Sequence, residues 1–187
     1  VDLLTNKNNI VKTRYVDESY NHMMLRVDSG DSCDRIGDIP KNLALYDAVI
    51  ISDYCKGFLR EKDIIEISKQ CTCPVFLDSK RKLGSWCENI DFIKINNFEY
   101  DNNRENFQKC PDLIVKTIIT RGKYGCFFNN KSYPTQEVPV KDVSGAGDTF
   151  ISGLVYKYVM TGDIEESINF AQECTTTVVQ KKGVATV

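Results

Sequence analysis

Residues 142–150 read Asp-Val-Ser-Gly-Ala-Gly-Asp-Thr-Phe, and this segment restricts the possible folds more than any other part of the chain. An apolar run with helical spacing begins at its end: Phe150, Ile151, Leu154 and Val155. The two glycines allow a tight turn whose N–H groups can approach a ligand closely. A helix that begins at such a turn presents unpaired N–H groups and about half a positive charge, and phosphate is the usual ligand. The segment therefore predicts a phosphate site at the start of a helix.

Asp148 directly follows this turn, and its carboxylate has two interpretations. A site that only binds phosphate would not place a carboxylate beside the anion, whereas a base that takes a proton from a hydroxyl during phosphoryl transfer belongs there. The alternative is a glycine-rich helix start without chemistry, in which Asp148 is the N-cap. Spacing alone does not decide between them.

The size and charge of the chain narrow its class. A length of 187 residues suits one domain with a sizeable core, so we expect a single domain over 1–187. The net charge of −2 gives no electrostatic footprint for nucleic acid or an anionic membrane. No apolar run reaches the roughly 20 residues that cross a bilayer, and no signal peptide is visible. Neither nucleic acid nor a membrane is therefore an expected partner.

The eight cysteines lack the paired spacing of a zinc site, since no Cys-x-x-Cys occurs and His22 is the single histidine. Several lie in apolar stretches, where a free cysteine behaves as a small hydrophobic residue. We therefore expect reduced thiols and a cytoplasmic protein.

Apolar β-rich segments alternate with amphipathic ones along the chain. The predicted strands are 10–16 and 23–28, joined by a polar turn, then 46–52, 74–78, 91–95 and 113–120, and a hairpin within 124–140 that turns at Asn129-Asn130. The predicted helices are 59–70, a short one at 83–88, 146–160 and 163–180, the last two separated by a C-cap glycine and an N-cap aspartate. This alternation predicts a layered α/β fold with a mostly parallel sheet.

Polar residues stand where four of these strands end: Asp53, Asp78, Asn96 and Thr120. Ligands of parallel sheets bind at the carboxyl ends of the strands. We therefore expect one shared site at this edge of the sheet.

The segment 142–150 resembles the second signature of the ribokinase-type (PfkB) carbohydrate kinases, with one valine in place of the common threonine. The resemblance implies a ribokinase-like three-layer α/β/α fold with a mostly parallel central sheet. It implies ATP- and Mg²⁺-dependent transfer of a phosphoryl group to a hydroxyl of a sugar or sugar phosphate. Gly145, Ala146 and Gly147 would then form the anion hole for the transferring phosphate, and Asp148 would be the catalytic base.

Two further segments resemble the nucleotide side of this family. Thr120-Arg121-Gly122-Lys123-Tyr124-Gly125 is similar to its Thr-x-Gly-x-x-Gly loop, which implies contacts to the ATP phosphates; a β-turn into the next strand is the alternative. Asn96-Asn97-Phe98-Glu99 fits its Asn-x-x-Glu motif, which implies that Asn96 and Glu99 organise Mg²⁺ and its waters. The alternative, compatible with the first, is an Asn N-cap with Glu99 as its capping-box partner.

The C-terminal region resembles the part of the family that walls the adenine pocket. The residues assigned to nucleotide binding on this basis are Gln172, which stands where Asn is common, and Gly183, for which a helix C-cap is equally compatible. Asp142, the first residue of the signature, is assigned to the nucleotide site as well.

Two segments, 52–57 and 78–80, resemble the bacterial heptose-phosphate kinases within the family. This resemblance implies substrate binding by Asp53, Lys56, Asp78 and Lys80. Arg14 and Arg26 lie where those kinases also carry arginines, and the guanidinium fork suits a phosphorylated sugar. Solvated loop charges and edge-strand charges that discourage aggregation are the alternatives.

Family members usually carry a further N-terminal part that recognises the sugar, and it is not visible in this sequence. We therefore expect the nucleotide-binding and catalytic half of a sugar kinase, N-terminally truncated, with a second copy or a partner chain covering the open side. The alternative is a catalytically impaired nucleotide-binding remnant, or a subunit that needs a partner chain to complete the sugar site.

Overall fold

The computed structural model describes residues 1–17 and 22–187. Its strands are β1 (Val11–Asp17), β2 (His22–Ser29), β3 (Val49–Asp53), β4 (Val75–Ser79), β5 (Phe92–Asn96), β6 (Thr117–Thr120), β7 (Cys126–Phe128) and β8 (Lys131–Tyr133). Its α-helices are α1 (Glu61–Gln70), α2 (Asn97–Lys109), α3 (Asp112–Val115), α4 (Ala146–Thr161) and α5 (Ile164–Val179). The polar turn predicted between the first two strands falls on residues 18–21 and lies outside the described residues.

Six strands form one sheet in the order β3-β4-β5-β6-β7-β8. The first four run parallel, with Asp78 opposite Lys94 on β4 and β5, and β7 and β8 join antiparallel. β1 and β2 form a separate antiparallel hairpin in which Arg14 lies opposite Arg26. The layered α/β fold with a mostly parallel sheet is therefore confirmed.

Successive residues of a strand point to opposite faces of the sheet, and here this alternation builds two cores. Leu77 and Ile95 are fully buried in the core that α1 and α2 cover. Phe76 and Ile118 are fully buried in the core that α4 and α5 cover. Helices thus cover both faces of the sheet, which gives three layers.

Helices α4 and α5 form a tightly packed pair at the C-terminal end. Gly162 ends α4 with φ +69°, and the side chain of Asp163 accepts hydrogen bonds from two N–H groups in the first turn of α5, so both predicted caps are confirmed. A methyl group on Gly153 of α4 would lie 3.3 Å from the Cα of Ala171 on α5, so this glycine sets the close approach. None of the helices in the two described ranges has the length and apolarity that a membrane span requires.

The strand predicted over 113–120 is wrong in its first half. Residues Asp112–Val115 form the short helix α3, and only Thr117–Thr120 form a strand. The Thr117 hydroxyl donates to the carbonyl oxygen of Leu113 at 2.6 Å, which holds the turn against the strand. This local hydrogen bond and the burial of Leu113 in the core override the strand preference of the β-branched residues.

The hairpin predicted within 124–140 is confirmed for β7 and β8. Its two turn residues, Asn129 and Asn130, have φ values of 45° and 61°, a left-handed conformation that asparagine tolerates. Residues 134–140 continue without forming a strand. The short helix expected at 83–88 is a single 3₁₀ turn, Ser85–Cys87.

Strand β3 forms one edge of the large sheet. Ile50 in this strand is 42% exposed although it is a large apolar residue. Such an edge presents unpaired backbone groups and apolar surface together.

Candidate active site

The segment 142–150 forms a turn that leads directly into α4. Gly145 is the N-cap residue, with a φ of +80° that favours glycine. Ala146 begins the helix, and its N–H group is used within the turn. The N–H groups of Gly147 and Asp148 find no acceptor among the described residues. The turn therefore presents two free donors at the positive end of α4.

Asp148 is the third residue of α4, and it is exposed at the helix start. Its interpretation as the N-cap is wrong, because Gly145 holds that position without a side-chain hydrogen bond. The hydroxyl of Tyr54 donates to Oδ1 of Asp148 at 2.8 Å. The carboxylate is therefore held beside the free N–H groups by the loop that follows β3.

Tyr54 connects this carboxylate to two lysines. The ammonium of Lys12 lies 4.5 Å from the centre of the Tyr54 ring, and that of Lys80 lies 5.9 Å from it. Burial and the hydrogen bond to the Asp148 carboxylate raise the pKa of Tyr54 well above its ordinary value. Tyr54 is therefore a neutral hydrogen-bond donor at physiological pH.

A buried ion pair lies beneath the turn. Nζ of Lys94 is 2.8 Å from Oδ2 of Asp78, and the two residues are only 4% and 8% exposed. A methyl group on Gly147 would lie 2.9 Å from this Nζ. Gly147 has a helical backbone that any residue can adopt, so a side chain at this position would have to displace the Lys94 ammonium from its place beneath the turn.

The sequence prediction placed Asp78 in the substrate site and missed Lys94. Burial raises the pKa of Asp78, although the neighbouring Lys94 ammonium acts in the opposite direction. The signal for Lys94 was present as a single charge within the apolar run Phe92-Ile93-Lys94-Ile95. A charge inside a buried strand needs a partner, and Asp78 on the preceding strand supplies it.

Asn96 and Glu99 form a reciprocal cap at the start of α2. Oδ1 of Asn96 accepts from the N–H of Glu99 at 2.8 Å, and Oε2 of Glu99 accepts from the N–H of Asn96 at 2.8 Å. The other carboxylate oxygen of Glu99 accepts from the ammonium of Lys80. The capping-box interpretation is therefore confirmed, while the metal-binding one stays a prediction.

The same pair is compatible with a magnesium site of the indirect kind. Within the described ranges, no group of three or more Asp, Glu, His or Cys side chains stands together as a metal cage. Mg²⁺ needs no such cage, because it retains several waters and binds through one or two carboxylates plus substrate phosphates. Oδ1 of Asn96 and both carboxylate oxygens of Glu99 already accept hydrogen bonds, so their remaining lone pairs fit contacts to the waters of the ion.

A cavity of about 230 Å³ lies beside the turn and extends to α5. Four residues assigned to the nucleotide site line it together with the turn itself: Thr120, Gly122, Gly125 and Gln172. Val138, Val140, Phe150 and Val179 supply apolar wall. The structure thus brings these predicted residues together around one cleft, next to the turn that leads into α4.

Gln172 carries an unsatisfied acceptor in this cavity. The residue is 7% exposed, and its Nε2 donates to the carbonyl oxygen of Pro134 at 3.3 Å. Because that carbonyl can only accept, the amide orientation is fixed with nitrogen towards Pro134. Oε1 is left buried and without a partner in the described residues. A ligand with an N–H donor would satisfy it.

Asp142 and Gly183 hold the loop before the turn to the C-terminal segment. Oδ1 of Asp142 accepts from the N–H of Ser144 at 2.8 Å, and Oδ2 accepts from the N–H of Gly183 at 3.1 Å. These hydrogen bonds, with the first as the largest cause, lower the pKa of Asp142. Gly183 is not a helix C-cap, since α5 ends at Val179 with Gln180 as its cap.

The residues around Tyr54 have other partners. Asp53 is 4% exposed, and its Oδ2 accepts from Nε of Arg81 at 2.6 Å and from the hydroxyl of Ser79 at 3.1 Å. Lys56 forms an ion pair with Asp31. The side chains of Asp53 and Lys56 are therefore engaged away from Asp148, and their substrate contacts remain predictions.

The β1–β2 hairpin carries its basic residues on one face. Lys12 of this face contacts the ring of Tyr54, as described above, and Arg14 is close enough to Asp142 to contribute to the low pKa of that carboxyl. Arg26 is held by Asp28 through two hydrogen bonds, of 2.7 and 2.6 Å. Arg14 and Arg26 are both exposed, but the guanidinium of Arg26 is already paired with the Asp28 carboxylate.

Comparison with protein families matches residues 38–187 to the model described as pfkB family carbohydrate kinase. Among curated proteins, the chain is 33% identical over 173 residues to the bifunctional protein HldE of Aliarcobacter butzleri, covering 81% of this chain and 36% of that protein. It is 28% identical over 195 residues to the bifunctional protein HldE of Campylobacter jejuni subsp. doylei, covering 90% of this chain and 42% of that protein. The chain therefore spans well under half the length of these relatives.

Solved structures show the same fold. The ribokinase of Thermotoga maritima superposes with a TM-score of 0.69 at 18% identity, covering 92% of this chain and 64% of that one. The Arabidopsis thaliana ribokinase complexed with ribose and ATP gives a TM-score of 0.61 at 20% identity, covering 76% of this chain and 52% of that one. The ribokinase-like three-layer arrangement that the sequence predicted is confirmed.

Proposed function

Because this chain belongs to the pfkB family of carbohydrate kinases, we propose that it is the nucleotide-binding and catalytic part of a kinase that transfers the terminal phosphoryl group of ATP to a hydroxyl of a sugar or sugar phosphate. Residues 1–187 would act as one domain in this reaction. The observation that carries the proposal is the position of the Asp148 carboxylate beside the free N–H groups of Gly147 and Asp148.

The reaction follows from this juxtaposition. Asp148 takes the proton of the acceptor hydroxyl while the hydroxyl oxygen bonds to the terminal phosphorus, and the bond from that phosphorus to the bridging oxygen breaks, so that ADP leaves. The amide donors of the turn stabilise the negative charge on the transferring group. Tyr54 orients the carboxylate through its hydrogen bond to Oδ1.

The nucleotide would occupy the cavity between the turn and α5, with its base near Gln172 and its phosphates near Thr120, Gly122 and Gly125. Asn96 and Glu99 would hold a hydrated Mg²⁺, which supplies charge neutralisation to the phosphates when it is bound. Thr120 lies opposite Asn96 in the sheet, so the two groups of residues share one edge.

The acceptor is proposed to be a phosphorylated sugar of the heptose-phosphate type. Two observations support this acceptor. The first is the similarity to the HldE proteins, and the second is the group of basic side chains near the Tyr54 ring and on the β1–β2 hairpin. Lys12, Lys80, Arg14 and Arg26 would provide charge-assisted hydrogen bonds to its phosphate. The sugar-binding role predicted for three further residues would be indirect, since each pairs with another side chain of the protein: Asp53, Lys56 and Asp78.

We further propose that a second copy of this chain covers the free edge of β3. A groove of about 810 Å³ lies along this edge, and its apolar wall includes Ile10, Ile36 and Phe58. The free backbone groups of β3 and the exposed Ile50 favour pairing with another strand. Sedimentation should show association that Ile50→Lys weakens and that Val159→Lys, on the exposed side of α4, does not; a wild-type chain that stays monomeric at high concentration contradicts this.

Asp148→Asn tests the catalytic proposal. Loss of base catalysis should lower turnover with a heptose phosphate by about 10²–10⁴-fold while calorimetry shows unchanged affinity for ATP with Mg²⁺. Asp101→Asn, an exposed carboxylate of α2 paired with Arg104, is the control. Full activity in Asp148→Asn would overturn the assigned role.

The second candidate is a nucleotide-binding remnant that requires a partner for turnover. The open groove beside β3 favours this second candidate. A sugar site that lacks a wall on this side would position the acceptor poorly. Nucleotide binding without phosphorylation of any sugar in a screen would support the remnant.

A further inference from the structure

We propose that the ammonium of Lys94 binds phosphate together with the free N–H groups at the start of α4. In the absence of phosphate it pairs with Asp78 beneath the turn at 145–148. This inference rests on the proposed function only in so far as the bound anion is the phosphate chain of a nucleotide. The juxtaposition that carries it is the approach of Nζ of Lys94 to Gly147, so close that a methyl group built on this glycine would lie 2.9 Å from Nζ.

The first step of the argument is position. Phe76 and Phe92 stack at 5.1 Å on the face that α4 and α5 cover, and Asp78 and Lys94 lie two residues further along the same strands, on the same face. Lys94 therefore points towards the first turn of α4. There the space for a methyl group on Gly147 is closed by the ammonium.

The second step is hydrogen-bonding capacity. An ammonium has three donors, and the structure gives Lys94 one partner among the described residues, Oδ2 of Asp78. The free N–H groups of Gly147 and Asp148 lie in the same turn. A phosphate at this end of α4 would satisfy amide and ammonium donors together.

The third step is cost. A buried ion pair often stabilises a fold no better than two apolar residues of similar size would. Asp78 and Lys94 lie on β4 and β5 beside fully buried apolar neighbours such as Leu77, so two apolar residues would fit the surroundings. A retained charge pair at a cleft therefore indicates binding or chemistry in addition to packing.

The test removes the charge without leaving an unpaired partner. Lys94→Met alone leaves the Asp78 carboxylate buried and unpaired, so a fall in stability is expected and is not informative. The double variant Lys94→Met with Asp78→Leu replaces the pair by apolar side chains, and its melting temperature should return close to that of the wild type.

Binding of inorganic tripolyphosphate, measured by calorimetry, is the readout. The double variant should bind about ten- to a hundredfold more weakly than the wild type, because a charge-assisted hydrogen bond is lost. Lys116→Met is the matched control, since the Lys116 ammonium is also partly buried but donates to the carbonyl oxygens of Cys87, Glu88 and Ile90. This control should lose stability and keep its affinity for tripolyphosphate.

The outcomes separate the two proposals. A folded double variant that binds tripolyphosphate as the wild type does assigns Lys94 a purely structural role and overturns the inference. A wild-type chain that does not bind tripolyphosphate overturns it as well. Weaker binding in the double variant supports phosphate binding by Lys94 even if the wild type phosphorylates no sugar. In that case only the proposed function fails.

Discussion

The hydroxyl of Tyr54 donates a hydrogen bond of 2.8 Å to Oδ1 of Asp148, and this bond joins the loop after β3 to the first turn of α4. The two residues are 94 positions apart, so the contact exists only in the folded chain. The bond uses Oδ1, so under the proposed mechanism Oδ2 would receive the proton of the acceptor hydroxyl. It also links Asp148 to the loop that resembles a substrate segment.

Tyr54→Phe should lower kcat by about tenfold and leave the affinity for ATP unchanged, because a hydrogen bond to a charged group is lost while the nucleotide cavity is intact. Steady-state kinetics measures the change in kcat, and calorimetry measures the affinity for ATP. Tyr156→Phe removes an exposed phenol from the same helix as Asp148 and should change neither. An unchanged kcat in Tyr54→Phe would show that the hydrogen bond is dispensable.

Gln172→Met should weaken the binding of ATP by about five- to tenfold, because the free Oε1 is the acceptor that the base amine would use. Tripolyphosphate lacks a base, so its affinity should be the same in this variant and the wild type. Equal loss for both ligands would instead indicate a general distortion of the cavity. Competition calorimetry with the two ligands makes the comparison.

The ion pair between Arg35 and Asp63 predicts a limit to acid stability. The Arg35 hydrogen bond lowers the pKa of Asp63 from 3.8 to about 2. Since the folded-state pKa is below the unfolded one, this contribution to the free energy of unfolding is complete above about pH 4 and is lost as the pH falls towards 2. Asp63→Asn should be less stable at pH 7, and its stability should fall less between pH 4 and pH 2, as measured by urea unfolding.

Gly125 and Gly162 both have positive φ values, of +77° and +69°, but they differ in ψ and in the space around them. Gly162 has a ψ of 3°, in the left-handed helical region, whereas Gly125 has a ψ of −135°, which strongly favours glycine. A methyl group on Gly125 would overlap the carbonyl oxygen of Tyr133, whereas one on Gly162 would meet nothing within 4 Å. Gly162→Ala should cost about 1 kcal/mol of unfolding free energy, and Gly125→Ala several kcal/mol more or no folded protein. Equal costs in chemical denaturation would contradict the crowding explanation.

Much of the fold followed from local patterns in the sequence. The limits of α4 and α5 could be read from Gly162 and Asp163, because a left-handed C-cap and an aspartate N-cap are local signals. The turn at Asn129-Asn130 is of the same kind. Residues 113–116 were misassigned because Ile114 and Val115 carry strand preference, while the burial of Leu113 in the core depends on the folded chain.

The candidate site was predictable only where its geometry is formed by residues that are close together in the sequence. The turn at 145–148 does so, and the cap of Asn96 and Glu99 does as well. The pairing of Lys94 with Asp78 depends on the register of two strands, and the bond from Tyr54 depends on the placement of a loop. Neither is encoded in a local spacing, so the sequence indicated the charge of Lys94 without its role.

The close approach of α4 and α5 at Gly153 has a mechanical meaning. One of these helices begins with the carboxylate and the amide donors, and the other carries Gln172 on the wall of the nucleotide cavity. Only the small residues Ala171 and Cys174 face Gly153 at this crossing, so the backbones of the two helices are held close together. Under the proposed function, this packing would set the spacing between Gln172 and the turn at 145–148, and the loop of Tyr54 and the β1–β2 hairpin would be the parts that meet the acceptor.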